Sequence, residues 1–282
     1  MANIIQNPIV LSIAGSDSSA GAGIQADLKT ISALGGYGCC AITAVTAQNT
    51  QGVRSLNPVS ATVLREQCEA VFDDLDICSV KIGMLPNIDS VRVVAEILRK
   101  YQPQFVVLDP VMVATSGDSL VEDNICQALL NELLPLADIV TPNVSELAQL
   151  TDCAETSITA DTLVKIQCEK LLQKGAKAVL AKGGHLENDT ATDWLVMPDF
   201  SKAYVKKRVA TKNTHGTGCT LSSAIATMRP QLTGLPEAVA AAKNFVHGAI
   251  EESANWVLGK GHGPLDHFYT NLSSYHFTAV SE

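Results

Sequence analysis

Basic residues are scarce in this sequence, which has 20 lysines and arginines against 29 aspartates and glutamates in 282 residues. The formal net charge is −9, and a chain this acidic repels the phosphate backbone of a nucleic acid. We therefore expect no nucleic-acid partner. Any anion that the protein binds must be held by a local arrangement of groups.

Long apolar runs are also lacking. No segment reaches the ~18 consecutive apolar residues that a membrane-spanning helix requires. The apolar run at residues 8–14 (PIVLSIA) is too short to span a bilayer, and no basic region or cleavage site frames it as a signal peptide. These absences predict a cytoplasmic protein with no membrane partner.

Paired cysteine motifs are absent, although the chain has eight cysteines. They are scattered along the sequence, and no two form a C-x-x-C pair. This spacing gives no support to a zinc ribbon or a thioredoxin-like site. We interpret most of them as small buried hydrophobic residues in a reducing compartment.

Short apolar runs alternate with amphipathic stretches along the chain. The predicted strands are Ile9–Ala14, Cys39–Val45, Ile77–Ile82, Phe105–Asp109, Asp138–Thr141 and Ala178–Lys182. Apolar residues at helical spacing are Ile24, Leu28, Ile31 and Leu34; Val91, Val94 and Leu98; and Val239, Ala242, Val246 and Ala249. Several strands are apolar on both faces, which predicts an α/β fold with a parallel sheet between helices. With no linker or repeat, we expect a single domain over residues 1–282, with ligands beyond the carboxyl ends of the strands.

A glycine-rich segment, residues 213–220 (NTHGTGCT), precedes a helical stretch through Ile225. Gly216 and Gly218 allow backbone N–H groups to point at one anion, and the helix N-terminus adds partial positive charge. Cys219 falls in the first turn, where the same field is expected to lower its pKa from about 8.5. A thiolate there can accept the proton of an attacking alcohol. The alternative is an ordinary loop followed by a small buried cysteine.

Polar side chains follow several of the predicted strands. Asp109 and Glu146 are candidate Mg²⁺ ligands, because this ion uses one or two protein carboxylates together with substrate phosphates. The alternative for Asn143 and Glu146 is a helix capping box. Lys182 ends an apolar strand, and a buried lysine needs a partner, either a nucleotide phosphate or a nearby carboxylate.

A second glycine cluster, residues 15–23, raises another possibility. Residues 21–26 (GAGIQA) satisfy the dinucleotide pattern G-x-G-x-x-A. An NAD site also requires an acidic residue at the end of the next strand, where residues 46–49 read TAQN. A G-x4-G-K-[ST] loop is absent, so a kinase built on this chain is not a P-loop kinase.

These motifs, in this order, resemble the ribokinase-like superfamily, and within it the bacterial hydroxymethylpyrimidine/phosphomethylpyrimidine kinases of thiamine synthesis. The resemblance runs from Val10 to Phe268. It rests on residues 14–17 (AGSD), 21–30 (GAGIQADLKT), 47–50 (AQNT), 81–84 (KIGM), 109–112 (DPVM), 141–143 (TPN), 182–185 (KGGH) and the Cys219 loop. It implies a three-layer α/β/α fold with a mainly parallel central sheet, and a homodimer. It also implies phosphorylation of 4-amino-5-hydroxymethyl-2-methylpyrimidine, and then of its monophosphate, with ATP and Mg²⁺.

The resemblance also implies a role for each candidate residue. The pyrimidine would be bound by Gln48, Asp27 and Met84, and the Gln48 amide would match a ring nitrogen beside an exocyclic amine. The residues implied for ATP are Lys182, Asn143 and Thr217. Those implied for the metal are Asp109 and Glu146. Those implied for the anion hole and the proton acceptor are Gly216, Gly218 and Cys219.

Two residues depart from the pattern of these relatives. Cys219 stands where most of the superfamily has aspartate, and Ala20 stands where relatives usually have glycine, so its methyl group is expected to tighten the first glycine loop. One alternative is a pyridoxal kinase of the same branch, whose substrate also carries a hydroxymethyl group on an aromatic ring. A second is a non-catalytic ligand-binding protein, which we would expect to lack Cys219, Lys182 or the carboxylates.

Overall fold

The computed structural model describes residues 7–113, 120–122, 125–154, 161–183 and 189–270. The strands are β1 Ile9–Ala14, β2 Tyr37–Ile42, β3 Ala44–Asn49, β4 Gly52–Pro58, β5 Ser79–Ile82, β6 Phe105–Leu108, β7 Ile139–Val140, β8 Val179–Lys182, β9 Thr190–Met197 and β10 Phe200–Lys207. The helices are α1 Gly23–Ala33, α2 Ala61–Phe72, α3 Ile88–Tyr101, α4 Ile125–Ala128, α5 Val144–Leu150, α6 Asp161–Gln173, α7 Thr217–Met228 and α8 Leu235–Ser253. Leu129–Leu133 continues α4 as a π-helical turn, and Leu134–Leu136 and Arg229–Gln231 are 3₁₀ turns.

The central sheet contains eight of these strands in the order β10-β9-β8-β7-β6-β5-β1-β2. Strands β2, β1, β5, β6, β7 and β8 pair in parallel, while β9 and β10 are antiparallel additions at one edge. The predicted α/β fold with a mainly parallel sheet is confirmed. Because the parallel strands end along one edge, the polar residues that follow them are brought together there.

The two faces of the sheet pack against different helices. Alternate residues of β1 point to opposite sides, so Val10 joins the core that includes α7 and α8, whereas Leu11 joins the core that includes α2 and α3. The predicted apolar stripes of α3 and α8 are buried in these two cores. Burial of both faces explains why the strands are continuously apolar, and it gives three layers.

One predicted strand is wrong. Residues 39–45 do not form one strand, because β2 ends at Ile42 and β3 leaves the main sheet. Strand β3 pairs antiparallel with β4 in a separate two-stranded sheet, which we call the β3–β4 ribbon. Thr43 fixes this departure, since its N–H donates to the Ala14 carbonyl and its hydroxyl donates to the Met84 carbonyl at 2.7 Å. Gln48 therefore lies on the ribbon and not in a loop that follows the second strand of the main sheet.

Among the described residues, no helix is both long enough and apolar enough to cross a membrane.

Candidate active site

A cavity of about 650 Å³ opens at the carboxyl edge of the parallel strands. Ten of the eleven candidate residues line it: Gln48, Met84, Asp109, Asn143, Glu146, Lys182, Gly216, Thr217, Gly218 and Cys219. They come from the ribbon, from the ends of β5, β6, β7 and β8, and from the start of α7. The tertiary structure thus gathers residues that lie far apart in the sequence.

The second glycine loop delivers the N-terminus of α7 to this cavity. Gly216 caps the helix in a left-handed conformation, with φ of 84°. A Cβ atom at this position would overlap the backbone oxygen of Gly21, so the two glycine loops approach each other as closely as they do only because residue 216 is glycine. The N–H groups of the first turn have no partner within the helix, and they form a natural anion site at the cavity wall.

Asp17 organises the first glycine loop. Its carboxylate accepts hydrogen bonds from the backbone N–H groups of Ser19, Gly21 and Ala22 at 2.8–3.0 Å. His215 Nε2 lies 2.8 Å from the same carboxylate and ties the two glycine loops together. Burial alone raises the pKa of Asp17, but the hydrogen bonds from His215 and Ser19 outweigh it and lower the pKa to about 2. The sequence singled out Asp17 only as part of a motif, and gave no sign of this bracing role.

Lys182 and two carboxylates form a charged cluster at the base of the cavity. Lys182 Nζ lies 2.8 Å from Asp109 Oδ1 and 3.7 Å from Glu146 Oε2. A Cβ atom at Gly218 would lie 3.2 Å from this ammonium group, so the cluster abuts the anion loop directly. The sequence left two partners open for Lys182, a nucleotide phosphate or a nearby carboxylate. In the structure Lys182 is paired with carboxylates.

Burial and neighbouring charges shift the pKa values of the two carboxylates in opposite directions. Burial raises the pKa of Asp109, but the charges of Lys182 and Lys81 and hydrogen bonds from Lys182 and Thr141 hold it below the ordinary value. For Glu146, burial is the largest effect and raises the pKa to about 7, with Lys182 opposing and Asp109 adding to the rise.

Asn143 and Glu146 also form the capping box that we considered as the alternative. Asn143 Oδ1 accepts a hydrogen bond from the Glu146 N–H at 2.8 Å, and Glu146 Oε2 accepts one from the Asn143 N–H at 2.7 Å. The cap and the charged cluster therefore share the Glu146 carboxylate.

The donor set suits a magnesium ion that is shared with a substrate. Asp109 and Glu146 offer hard oxygen ligands, and Mg²⁺ ordinarily takes only one or two such carboxylates beside phosphates and water. Within the described ranges, no three or more histidine, cysteine or acidic side chains cluster as a dedicated metal cage. These two residues fit an ion that arrives with a nucleotide.

Cys219 lies at the cavity wall with partial exposure, but the expected lowering of its pKa is wrong. Burial raises the pKa of the thiol to about 11, and the Lys81 charge and the Gly23 N–H lower it by less. Burial is the largest of these effects. At neutral pH the neutral thiol is therefore the main form of Cys219.

Asp27 is the one candidate that does not reach the cavity. It lies on the inner face of α1 and is fully buried, in an ion pair with Lys81. We had expected Asp27 to contact the substrate, and its position does not agree with this. Its place in the helical repeat of α1 turns its side chain toward the sheet and α7.

Gln48 and Met84 form one end of the cavity. The ribbon is tied to the first glycine loop here, since the Gln48 N–H and the Ser18 hydroxyl are 2.8 Å apart and Thr46 donates to the Ser16 carbonyl. Gln48 Oε1 accepts a weaker bond from Thr46 at 3.3 Å. Gly15 leaves room for the Met84 side chain, because a Cβ atom there would overlap its terminal methyl group.

One part of the cavity lining was not predicted from the sequence. It is apolar and consists of Val209, Leu221, Val246 and Ile250. Beside it, Lys243 Nζ lies 2.6 Å from Asp193, whose other carboxylate oxygen accepts the Gly183 N–H at 3.1 Å. Of the four apolar residues, Val246 was visible in the sequence as part of an apolar helix face, and Gly183 was visible as part of the KGGH motif.

The fold and the site together define a small-molecule kinase of the ribokinase-like class, with an anion loop, a lysine and carboxylates at the strand ends. A family model described as phosphomethylpyrimidine kinase matches residues 17–266. The chain belongs to the phosphomethylpyrimidine kinase family. The NAD-dependent and the non-catalytic alternatives are therefore both wrong.

Named relatives agree with this assignment. The chain is 49% identical over 261 residues to the hydroxymethylpyrimidine/phosphomethylpyrimidine kinase of Rhizobium meliloti, covering 93% of this chain and 97% of the relative. It is similar to a crystal structure of phosphomethylpyrimidine kinase from Clostridium difficile, with a TM-score of 0.76 and 42% identity over 86% of this chain and 100% of that one. It is also similar to the pyridoxal kinase of Staphylococcus aureus in complex with AMP-PCP and pyridoxal, with a TM-score of 0.85, 32% identity, and coverage of 94% and 95%.

Proposed function

We propose that this kinase transfers the γ-phosphoryl group of ATP to the hydroxyl of 4-amino-5-hydroxymethyl-2-methylpyrimidine, and then phosphorylates the resulting monophosphate. The observation that carries the proposal is the meeting of the α7 N-terminus, Lys182 and Asp109 at one cavity, with Cys219 beside them. Phosphoryl transfer depends mainly on positioning and on stabilising negative charge, and this arrangement provides both.

The cavity lining has two chemically different parts, to which we assign the two substrates. The apolar wall with Val209, Leu221, Val246 and Ile250 suits the base of ATP. From there the phosphates would pass Asn143, Lys182 and Thr217 to the anion loop. Asp109 and Glu146 would hold Mg²⁺, which neutralises phosphate charge when bound. A complex with the ATP analogue AMP-PCP in the Staphylococcus aureus relative supports ATP as the donor.

The alcohol would lie at the Gln48 and Met84 end, with its hydroxyl directed toward the anion loop. Its oxygen bonds to the γ-phosphorus as the bond to ADP breaks, and its proton passes to the Cys219 thiolate. With a pKa of about 11, only a small fraction of this thiol is ionised in the free protein at neutral pH. The loose transition state of phosphoryl transfer places little demand on a strong base.

Pyridoxal is the second candidate substrate, because the chain is also similar to pyridoxal kinases. The chain is 49% and 42% identical to the two pyrimidine kinases but 32% identical to the pyridoxal kinase, which favours the aminopyrimidine as the substrate. The Gln48 amide adds a chemical reason, since it offers a donor and an acceptor that a ring nitrogen beside an amine satisfies together. Pyridoxal has a phenolic oxygen and no exocyclic amine.

A direct assay tests the proposal. Purified protein is mixed with ATP and Mg²⁺ and either the hydroxymethylpyrimidine, its monophosphate or pyridoxal, and products are followed by ³¹P NMR. We expect a monophosphate from the first substrate, a pyrophosphate from the second, and a lower kcat/KM for pyridoxal. Preference for pyridoxal would reverse the ranking of the two substrates, and no turnover of the monophosphate would remove the second step.

A further inference from the structure

A buried lysine–aspartate pair lies behind the cavity wall, and the proposed function gives it no role. Lys81 in β5 and Asp27 in α1 are both fully buried. The Lys81 ammonium lies 2.8 Å from each carboxylate oxygen of Asp27. Such pairs carry a desolvation cost, and are often no more stabilising than apolar side chains of the same volume. Stability alone is therefore a weak reason for this pair.

Asp27 is held rigidly by hydroxyl groups as well as by the lysine. Ser12 Oγ of β1 donates to Asp27 Oδ2 at 2.6 Å, and Ser223 Oγ of α7 donates to Oδ1 at 2.7 Å. Each carboxylate oxygen thus accepts two hydrogen bonds. Because the bonds come from two strands and a helix, neither the carboxylate nor the ammonium group can turn without breaking the set.

The position of the pair is set by the same two helices that position Cys219. On α7, Ser223 follows Cys219 by four residues, so the two side chains share one face a turn apart. On α1, Asp27 follows Gly23 by four residues, and the Gly23 N–H is one of the groups that lower the pKa of the Cys219 thiol. The pair is therefore one helical turn below the thiol along both helices.

Lys81 approaches the cavity from behind its floor. A Cβ atom at Gly83 would lie 2.8 Å from Lys81 Nζ and 2.9 Å from the Ala14 side chain. Ala14 itself lines the cavity. The ammonium group is thus directly beneath the wall, and glycine at position 83 leaves the space that it occupies.

Among the described residues, four charged groups interact electrostatically with Cys219: Lys81 of β5, Asp27 of α1, Asp109 at the end of β6 and Lys182 of β8. Burial raises the pKa of Cys219, the Lys81 charge lowers it, and the Asp27 and Asp109 charges raise it by smaller amounts. At the Cys219 thiol the positive charge of Lys81 therefore has a larger effect than the negative charge of Asp27.

We propose that Lys81, fixed by Asp27, is a positioning residue that stabilises the thiolate form of Cys219. On ionisation the thiol loses its proton to water, and the thiolate then takes the proton of the alcohol as the alcohol oxygen bonds to phosphorus. The catalytic part of this inference rests on the proposed role of Cys219 as proton acceptor.

Two single variants test the proposal through the sign of their effects. Alkylation of Cys219 by iodoacetamide is measured between pH 7 and 10 by mass spectrometry of its peptide, since seven other cysteines are present. Lys81→Met should slow alkylation about tenfold below the pKa, as a one-unit rise in the thiol pKa requires. Asp27→Asn should accelerate it. General loosening of the core would accelerate alkylation in both variants, and that result overturns the proposal.

The control and the double variant keep the test independent of folding defects. Ser79→Ala removes a hydrogen bond from β5 to the Ala226 carbonyl of α7 without changing a charge, so its alkylation profile should match the wild type. Asp27→Asn/Lys81→Met leaves no unpaired buried charge, and it should still react more slowly than the wild type. An unchanged profile in the double variant refutes the lysine effect.

Turnover separates this inference from the proposed role of Cys219. We expect kcat of the double variant to fall with the thiolate fraction, while KM for ATP stays within about twofold, because a pKa shift of one unit changes only the ionised fraction. Slower alkylation with unchanged kcat supports the effect of Lys81 on the thiol, and overturns instead the assignment of Cys219 as the proton acceptor.

Discussion

At the scale of single residues, position in the fold matters as much as chemical type. Cys219 stands at a helix N-terminus, which ordinarily favours a thiolate, yet burial raises its pKa to about 11. Ala20 adopts a left-handed conformation with φ of 61°, in a loop that also contains Gly15, Gly21 and Gly23. The sequence marked both residues as departures from the pattern of the relatives, but the pKa of one and the backbone conformation of the other depend on the surrounding structure.

Replacement of Cys219 by alanine tests its assignment as proton acceptor. We expect kcat to fall by roughly 10²–10⁴, the usual contribution of a positioned acid–base group. The ATP dissociation constant should stay near the wild-type value, since the nucleotide is held by other groups. Steady-state kinetics and calorimetric titration of ATP measure the two quantities. A variant with near-normal turnover requires another base.

Replacement of Ala20 by glycine tests the strain in the first glycine loop. An L-residue in the left-handed region costs roughly 1–2 kcal/mol, and glycine removes this cost. Glycine also raises the conformational entropy of the unfolded chain, which offsets part of the stabilisation. We expect a net increase of about 0.5–1 kcal/mol in the free energy of unfolding, measured by chemical denaturation. Ala33→Gly, in the last turn of α1, is the matched control and should lose up to about 1 kcal/mol. Destabilisation in both variants would show that Ala20 is unstrained.

At the scale of elements, the site is built from loops that are fastened to one another. The Asp17–His215 contact joins the two glycine loops, and Thr46 and Ser18 join the β3–β4 ribbon to the first of them. These contacts bring the Gln48 end of the cavity and the anion loop into one connected unit. A change in one loop is therefore expected to affect the geometry of the others.

Acid should weaken the connection made by Asp17. Its pKa is about 2 in the folded protein against an ordinary value of 3.8, so its stabilising contribution is complete above about pH 4 and is lost as the pH falls toward 2. The melting temperature of Asp17→Asn should be lower than that of the wild type at pH 7, and the difference should shrink between pH 4 and 2. A constant difference over this range would contradict the assignment.

Gln48 on the ribbon should select the aminopyrimidine over pyridoxal. The variant Gln48→Leu leaves polar groups of the bound pyrimidine unpaired. It should lower kcat/KM for that substrate by an amount equivalent to about 1–3 kcal/mol of transition-state stabilisation. The effect on pyridoxal should be much smaller. Kinetics with both alcohols provides the measurement. Equal losses for the two substrates would show that Gln48 is not the selecting residue.

At the scale of the whole molecule, the charged cluster joins residues that lie far apart in the chain. Asp109 follows β6, Glu146 lies in α5 and Lys182 ends β8, and only the parallel order of these strands brings the three together. Asp109 has a structural function besides any metal binding, because its removal would leave Lys182 with one fewer charged partner. The homodimer that the family resemblance implies stays a prediction.

Glu146→Gln separates metal binding from structure in this cluster. Glutamine keeps the oxygen that accepts the Asn143 N–H, since a capping box tolerates either residue. We expect a higher Mg²⁺ concentration for half-maximal rate and a melting temperature close to the wild type. Glu96→Gln, at an exposed glutamate paired with Arg65, is the control and should change neither. An unaltered Mg²⁺ requirement in Glu146→Gln would leave the residue as a helix cap alone.

The sequence by itself determined the fold class and ten of the residues that line the cavity. Apolar strands with polar residues at their carboxyl ends are a local pattern, and a parallel sheet must place those ends along one edge. The helix stripes at Val91 and Val246 were visible for the same reason, since periodicity is a property of neighbouring residues.

Only the tertiary structure decided the break between β2 and β3, the buried position of Asp27 and the raised pKa of Cys219. No turn residue marks the break at Thr43, whose hydrogen bonds go to Ala14 at the end of β1 and to Met84 after β5. Asp27 and Cys219 take their properties from desolvation and from charges on distant segments. Burial and long-range electrostatics depend on which segments meet in space, and a linear pattern does not contain that information.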